Sequence, residues 1–424
     1  RQSDSTSPPV CRGQPPGIAF RSNGKLSMRQ IEVIPQFVDT FSCIADQCED
    51  HCCHGWNITI DKPTYRFMTE KSAFKAKSLE VIQRTPGSAA YAKIKLAEKG
   101  VCPFRDSQGL CDVHAAHGHT RLSNTCQTYP RLSQTRGDKV ERSLTLSCPE
   151  AVRQVLLNPS AMTFREQEVF KSNFKPAPYR RPAYYDAIRQ LFIDVLLLEE
   201  VSLEARLFML GMALKQLDAH KDDMDKFNTT LSYCIEKITN GEFLSMFNNM
   251  DSAVELHATF LIKLFNVQLS LGVVDKHELV LDRIMKIHQQ LVSTLGLAGD
   301  DLNRQKEILI QGFDGHYQNY IQANPHVWIN YFIYGMYKHD FPAKGMYEVF
   351  SELVIDFFLL RGALTAIASG RELEDNDLIH AVQSFHRARS NGVRLETGIK
   401  GIINKHLNVE EAMLPLILLK VSAN

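Results

Sequence analysis

The sequence predicts a mainly α protein: a loop-rich, cysteine-ligand N-terminal module with a few short strands, followed by an all-α helical domain. Three observations predict it. Eight of the ten cysteines fall between residues 43 and 148, apolar residues recur at helical spacing after Pro149, and the composition is that of an ordinary globular chain, 44% hydrophobic and 23% charged over 424 residues. That length suggests two or three domains at about 150 residues each, and the texture changes at residues 28 and 151. Formal charge is zero, with 20 Lys+Arg against 15 Asp+Glu in residues 1–150 and 28 against 33 in the remainder. Without any run of Lys or Arg, this modest asymmetry reads as solvated surface rather than a nucleic-acid patch.

Residues 1–27 are rich in Ser, Pro, Gly and Arg, with Pro8-Pro9 and Pro15-Pro16. They offer no apolar face to pack and are expected to form a disordered lead-in. Gly17-Ile18-Ala19-Phe20 is far too short for the apolar core of a secretory signal, so a cytoplasmic location is expected. Residues 28–150 form the cysteine module. Ile31 and Val33 alternate as in a short strand, Leu144 and Leu146 do the same, and Tyr65 to Leu96 reads mostly as helix. A module this poor in regular structure buries little apolar area, so ligand bonds are expected to contribute much of its stability.

Residues 151–424 read as the all-α domain, expected to bind substrate. Ile188, Leu191, Phe192, Val195 and Leu196 mark one buried helix face, as do Ala253, Leu256, His257, Phe260, Leu261 and Leu264. Ser252 with Glu255 forms a capping-box pattern before the second, and Asn408 with Glu411 offers a similar start before the C-terminal apolar run. Further helices are expected near 203–218, 277–296, 301–313, 325–338, 346–369 and 377–390. The most apolar stretch, Val354 to Ile367, is interrupted by Asp356 and Arg361 and falls short of the ~20 residues of a spanning helix. No amphipathic basic helix compels association with a membrane surface, although peripheral association is compatible with the sequence.

The chemistry lies in Cys43, Cys48, Cys52, Cys53, Cys102, Cys111, Cys126 and Cys148. In a reducing compartment, cysteines this dense are expected to be thiolate ligands rather than disulfides. Four thiolates complete a tetrahedral zinc site or the corners of an iron-sulfur cluster. Eight therefore fit two sites, or one site with spare thiols. Paired C-x2-C hooks are absent, which argues against a simple zinc site, and Cys102-Pro103 and Cys148-Pro149 resemble the Cys-Pro that ends a common ferredoxin motif. Spacing alone leaves iron-sulfur and zinc open. A C-x3-C-x2-C radical signature following Cys48 and Cys52 would require cysteine at position 55, where Gly55 stands. Ligation by four cysteines would leave no iron vacant. Adjacent side chains usually diverge, so Cys52 and Cys53 are not expected to share one site. His51, His54, His114, His117 and His119 are alternative ligands. Trp56 is a candidate shield, and Arg121 and Arg131 are candidate donors to sulfur. Asp61, Asp106, Asp112, Tyr65 and Tyr129 are polar neighbours without an assigned role.

Cys48-x3-Cys52-Cys53-His54-Gly55-Trp56, then Cys102-Pro103-Phe104, Gly109-Leu110-Cys111, Leu122-Ser123-x-Thr125-Cys126-x2-Tyr129-Pro130-Arg131 and Ser143-Leu144-x-Leu146-Ser147-Cys148-Pro149-Glu150 together resemble the bacterial flagellin lysine-N-methylase family. The same half is similar to zinc- or iron-chelating proteins with an eight-cysteine framework. The resemblance implies methyl transfer from S-adenosylmethionine to lysine ε-nitrogens of flagellin before its export, with an iron-sulfur cluster, expected to be 4Fe-4S, among the cysteines. Zinc is the alternative metal. No glycine-rich strand-turn-helix marks a donor site, since Ala298-Gly299-Asp300 and Phe313-Asp314-Gly315-His316 are isolated glycines. Two other readings of the residues stand beside this one. The first is a non-enzymatic, zinc-stabilised protein-binding module, and the second is a redox-sensing iron-sulfur protein.

Overall fold

A computed structural model describes residues 19–22, 25–50, 52–53, 55, 58–172, 176–251, 257, 260–261, 278–296, 301–390 and 414–421. The chain is mainly helical. Its first half carries two small sheets.

The larger sheet is built around β2 (Lys25–Pro35), with β1 (Ala19–Ser22) and β7 (Lys139–Leu144) beside it, β6 (Arg131–Arg136) beyond β7, and β8 (Phe164–Ser172) paired to β2. β2 runs parallel to β7, with Ile31 opposite Lys139 and Val33 opposite Glu141, and antiparallel to β8 from Ser27↔Ser172 to Pro35↔Phe164. The expected strand at Ile31 and Val33 is present. Two differences from the sequence expectation follow. Residues 19–22 and 25–27, assigned to the disordered lead-in, form a hairpin, because β2 has partners along its whole length and extends back past Met28. A nine-residue strand also occurs beyond residue 150. Charges dominate β8, which hides any apolar alternation, yet three of its four pair with other strands of the sheet, Glu168 with Arg29, Glu166 with Lys139 and Lys171 with Glu32, while Arg165 pairs with Asp39. Cross-strand opposite charges stabilise such pairing.

The smaller sheet, β3 (Thr59–Ile60), β5 (Ala92–Ile94) and β4 (Ile82–Arg84), supports the cysteine loops. Here the expectation of helix from Tyr65 to Leu96 is only partly met. α2 (Lys62–Arg66), a π-helical turn at Phe67–Lys71 and α3 (Lys75–Val81) are helical, after which the chain turns into β4 and β5. Ile82 and Ile94 face inward from paired strands, so a period of two displaces the helical one. Ten buried side chains, including Ile58, Met68, Phe104 and Leu122, form the module's own core. The flanks behave otherwise: Phe37, Phe41, Leu144, Leu146 and Val155 pack into the helical core, so buried contacts continue across residue 150.

Within the helical part, α7 (Tyr185–Leu196) buries Ile188, Leu191, Phe192, Val195 and Leu196, the face its sequence periodicity predicts. α8 (Leu203–Asp218) begins on Ser202, whose side chain accepts from Ala205 N. α9 (Met224–Thr239) and α10 (Glu242–Asn249) lie between two expected helices and have only thin apolar stripes, two buried residues each. α11 (Glu278–Gly296), α12 (Leu302–Gly312), α14 (His326–Lys338), α15 (Tyr347–Ala368) and α16 (Asp375–Ser390) match the remaining expectations within a residue or two at either end, with α13 (Gln318–Ala323) preceding α14. The helix expected across 253–264 and the start at Asn408 lie largely outside the described residues, apart from buried His257, Phe260 and Leu261.

α15 is buried on nearly every face, which explains its lack of amphipathic pattern. Its two internal charges are paired. Asp356 is bonded by Arg389 of α16, while Arg361 donates to Glu204 at 3.0 Å and to the carbonyls of Leu418 and Leu419 at 2.7 and 3.2 Å, holding the C-terminal α17 (Leu414–Ile417) against α8 and α15. Buried charges persist only with such partners. Among the described residues, no helix is long and apolar enough to cross a membrane.

Candidate functional site

Short backbone ties bring the cysteine loops together. Cys102 N donates to Cys53 O at 2.9 Å and Gly55 N to Gly100 O at 2.9 Å, with Gly55 at a φ of 66° that favours glycine. Between Cys102 and Cys111 the chain doubles back: Asp106 N donates to Leu110 O, Asp112 N to Phe104 O, and the Asp106 carboxylate accepts from Leu110 N. Cys111 then caps α4 (Asp112–His117), Cys126 lies in α5 (Asn124–Thr128), and Cys148 caps α6 (Pro149–Val152). Asp61 serves two ends at once, accepting from Thr64 N at 2.9 Å in α2 and from Asn124 N at 3.1 Å in α5. Its role is therefore to fix the position of Cys126, and Asp106 does the same for Cys111. Asp112 lies 3.9 Å from Lys77, and Tyr65 packs edge-on against Tyr91.

All eight predicted cysteines border two adjoining cavities. The first, of about 300 Å³, is lined by Cys43, Cys52, Cys53, Cys102, Cys111 and Cys126 against apolar walls that include Ile58, Met68, Phe104 and Leu122. The second, of about 270 Å³, is lined by Cys43, Cys48, Cys52, Cys53, Cys111 and Cys148. Cys52 lies deep in the fold yet retains free surface, because that surface faces the cavities. Cys52 and Cys53 both line both spaces and are hydrogen-bonded to each other, against the expectation that neighbours diverge. They sit in a turn, where successive side chains need not alternate. All nine described cysteines are free thiols, and Cys234 is buried alone among helices.

Burial raises most of these thiols: Cys48 and Cys126 to about 11, Cys102 and Cys148 to about 12, and Cys111 in the same direction. Cys52 is the exception, lowered to about 7, first by the hydrogen bond from Cys53 and further by the charge of Arg387, while Cys53 rises. Thiols raised by burial become thiolates when a polyvalent cation compensates their charge. Among the described residues, no three His, Cys, Asp or Glu side chains close on a point that would hold a single ion. Six of the thiols face one space of about 300 Å³. Thiols in this number are a donor set that thiolate-bound zinc or an iron-sulfur cluster could use.

His114 and His119 line the first cavity, whereas His117 bonds Ser72 Oγ at 3.2 Å and packs on Phe67 and Phe74. His51, His54 and Trp56 lie outside the described residues. Arg121 and Arg131 also line the first cavity, stacked over Phe67 and Phe41 at 4.8 and 4.9 Å. Tyr129 lines both cavities, bonded through its hydroxyl to Ser147 at 3.2 Å, and burial raises its phenol.

The second cavity also receives residues that the sequence did not mark. Arg387 from α16, Asp50 and Glu150 line it, each no more than 6% exposed. Gln383, one turn before Arg387, donates to Asp50 Oδ2 at 2.6 Å and Ser147 O at 3.2 Å and accepts from Arg283 of α11 at 2.8 Å. The helical part thus closes one side of the cysteine site. Glu150 could have been singled out through Cys148-Pro149-Glu150, but nothing local marks Arg387, which sits on a helix face like many others.

The family described as the FliB lysine N-methylase C-terminal domain matches residues 189–416. A lysine-N-methylase of Salmonella typhimurium is 25% identical over 379 residues, covering 85% of this chain and 92% of the relative. One of Salmonella choleraesuis aligns with the same identity and coverage. The flagellar biosynthetic protein FliU of Salmonella muenchen is 37% identical over 148 residues, covering 34% of this chain and 88% of the relative. No solved structure matches.

Proposed function

Because this chain belongs to the FliB lysine N-methylase family, matched over more than half its length, we propose that it transfers a methyl group from S-adenosylmethionine to lysine ε-nitrogens of flagellin, with an iron-sulfur cluster in its cysteine module. The observation that carries the reading is the convergence of thiols from residues 43–148 on two adjoining cavities, the second of which is also lined by Arg387 of the family's helical domain. Flagellin as the substrate is supported by the flagellar name of the FliU relative. Cytoplasmic action before export accords with free thiols throughout the described residues.

Four of Cys43, Cys52, Cys53, Cys102, Cys111 and Cys126 would hold the cluster in the first cavity. When bound, it would supply cationic iron that compensates thiolate charge and ties together loops sharing only a ten-residue core. Methyl transfer forms an N–C bond as the S–C bond breaks. The sulfonium leaves as a thioether, and the proton must leave the lysine nitrogen. A lysine in water is protonated up to a pKa near 10.4, so the site must favour the neutral amine. Burial in this fold does that to a resident lysine: Lys338 is lowered to about 8, first by desolvation and then by the charge of Arg389. A substrate lysine entering between module and helices meets the same cause. The remaining requirement is alignment of nitrogen, methyl carbon and sulfur, a matter of positioning.

The test is mass spectrometry of flagellin lysines after incubation with S-adenosylmethionine and anaerobically purified protein, its Cys126→Ser variant, or no protein. Methyl-lysine should appear only with the unaltered protein, whose iron and sulfide content should exceed its zinc. Unmodified lysines in the presence of cluster-replete protein would overturn the assignment.

A further inference from the structure

The second cavity differs from the first in its charge. The first has apolar walls with Arg121 and Arg131 and no lining carboxylate, whereas the second is bordered by a buried cation, Arg387, and by two buried carboxylates, Asp50 and Glu150. Arg387 comes from α16 and the carboxylates from the cysteine module and its exit. Opposite charges from separate parts of the chain therefore face one space of about 270 Å³, which shares Cys52, Cys53 and Cys111 with the first. Holding charge at this depth costs free energy unless it is compensated. Glu150 is bonded by Arg153 and Gln154, and Asp50 by Gln383, so both carboxylates are fixed in place. Arg387 lines this space together with Cys52, Cys53 and Tyr129. A planar guanidinium with a fixed fork of donors suits a carboxylate.

We propose that this cavity binds the zwitterionic α-amino acid end of the methyl donor, with Arg387 taking its carboxylate and Asp50 and Glu150 facing its ammonium. The inference rests on the methylase reading above and adds where the donor sits. Its sulfonium would stand at the boundary between the two cavities, beside Cys52 and Cys53. The site escapes a search for glycine-rich turns because charged side chains from distant segments, rather than a phosphate-type loop, make it.

The test is equilibrium binding to the anaerobically purified full chain. Two labelled probes are compared: S-adenosylmethionine and its decarboxylated analogue, which keeps the sulfonium and lacks the carboxylate. A charge-assisted hydrogen-bonded contact predicts that the analogue binds the unaltered protein roughly 10- to 100-fold more weakly. Arg387→Met should weaken S-adenosylmethionine by a similar factor and leave the analogue unchanged, with iron content preserved. If the variant loses iron, the two probes on the unaltered protein still decide. Equal affinity for both probes overturns this inference and leaves the methylase reading intact. Failure of the unaltered protein to bind either probe overturns both.

Discussion

Lowering the pH from 7 to 5 should destabilise this protein by a few kcal/mol, chiefly through two histidines in the helical part, buried His257 and half-buried His386. His257 is depressed to about 3, first by burial and then by Arg361; His339 is lowered as well, but its side chain is exposed and solvent screening leaves it little weight. His386 lies well below its ordinary value through burial, with Lys338, Arg389 and His339 adding to it, and its Nε2 is 3.3 Å from Tyr331 Oη. A histidine whose folded pKa is lowered stabilises the fold above its unfolded pKa of 6.5, and this contribution is lost as pH falls toward the folded value. At pH 5, already 1.5 units below 6.5, His257 and His386 each contribute a loss of about 2 kcal/mol at 1.36 kcal/mol per unit, or about 4 kcal/mol for the two. Asp356 opposes this. Burial raises it to about 6 despite Arg389 and Lys338, so it favours the fold as pH falls, returning about 1 kcal/mol over the same interval. Lys338, at about 8, has titrated above the window. The net loss is about 3 kcal/mol, a large share of the ~5–15 kcal/mol of a typical domain. Urea unfolding followed by far-ultraviolet circular dichroism at pH 7, 6 and 5, at fixed ionic strength, measures it. His386→Gln, which can keep a bond to Tyr331, should flatten the slope by about 2 kcal/mol, and comparing slopes cancels any acid loss of bound metal. An unchanged slope in the variant, or a loss below about 1 kcal/mol in the unaltered protein, would refute the reasoning.

Other perturbations probe the packing and the junction. Gln383→Leu removes donors to Asp50 and Ser147 and an acceptor for Arg283, so it should cost about 2–3 kcal/mol and speed proteolysis between module and helices, as limited digestion would show. Gly335→Ala places a Cβ 2.4 Å from Leu353 Cδ2, so the buried Leu353 side chain must turn out of its rotamer, at a cost of about 1 kcal/mol in chemical denaturation, with the clash absent in the double variant Gly335→Ala, Leu353→Ala. Cys52→Ser and Cys126→Ser should reduce iron content and visible absorbance, because hydroxyl poorly replaces thiolate. Cys234→Ser, remote from both cavities, should keep the full content.

Much of the helical part was legible because its signal is local. Ser202 at the head of α8 and the five apolar residues of α7 state their helices within one or two turns. α9 and α10 were missed because each buries only two residues and leaves a stripe too thin to stand out. β8 was missed because its pairing depends on charges opposite β2 and β7, more than a hundred residues away for β2. Tyr65 to Leu96 misled because a period of two in short strands is indistinguishable there from fragments of a helical face.

By itself the sequence determined that thiols crowd the first third, that long helices follow, and that this pattern resembles a lysine-methylase family, since residue chemistry and short-range periodicity survive in one dimension. Only the tertiary structure decided that these thiols border two adjoining spaces, and that Arg387, Asp50 and Glu150 share the second. The physical reason is range. Helix faces and caps are set by residues a few positions apart, whereas a cavity is set by which distant surfaces pack, and α16 brings Arg387 to Cys52 across more than three hundred residues of chain.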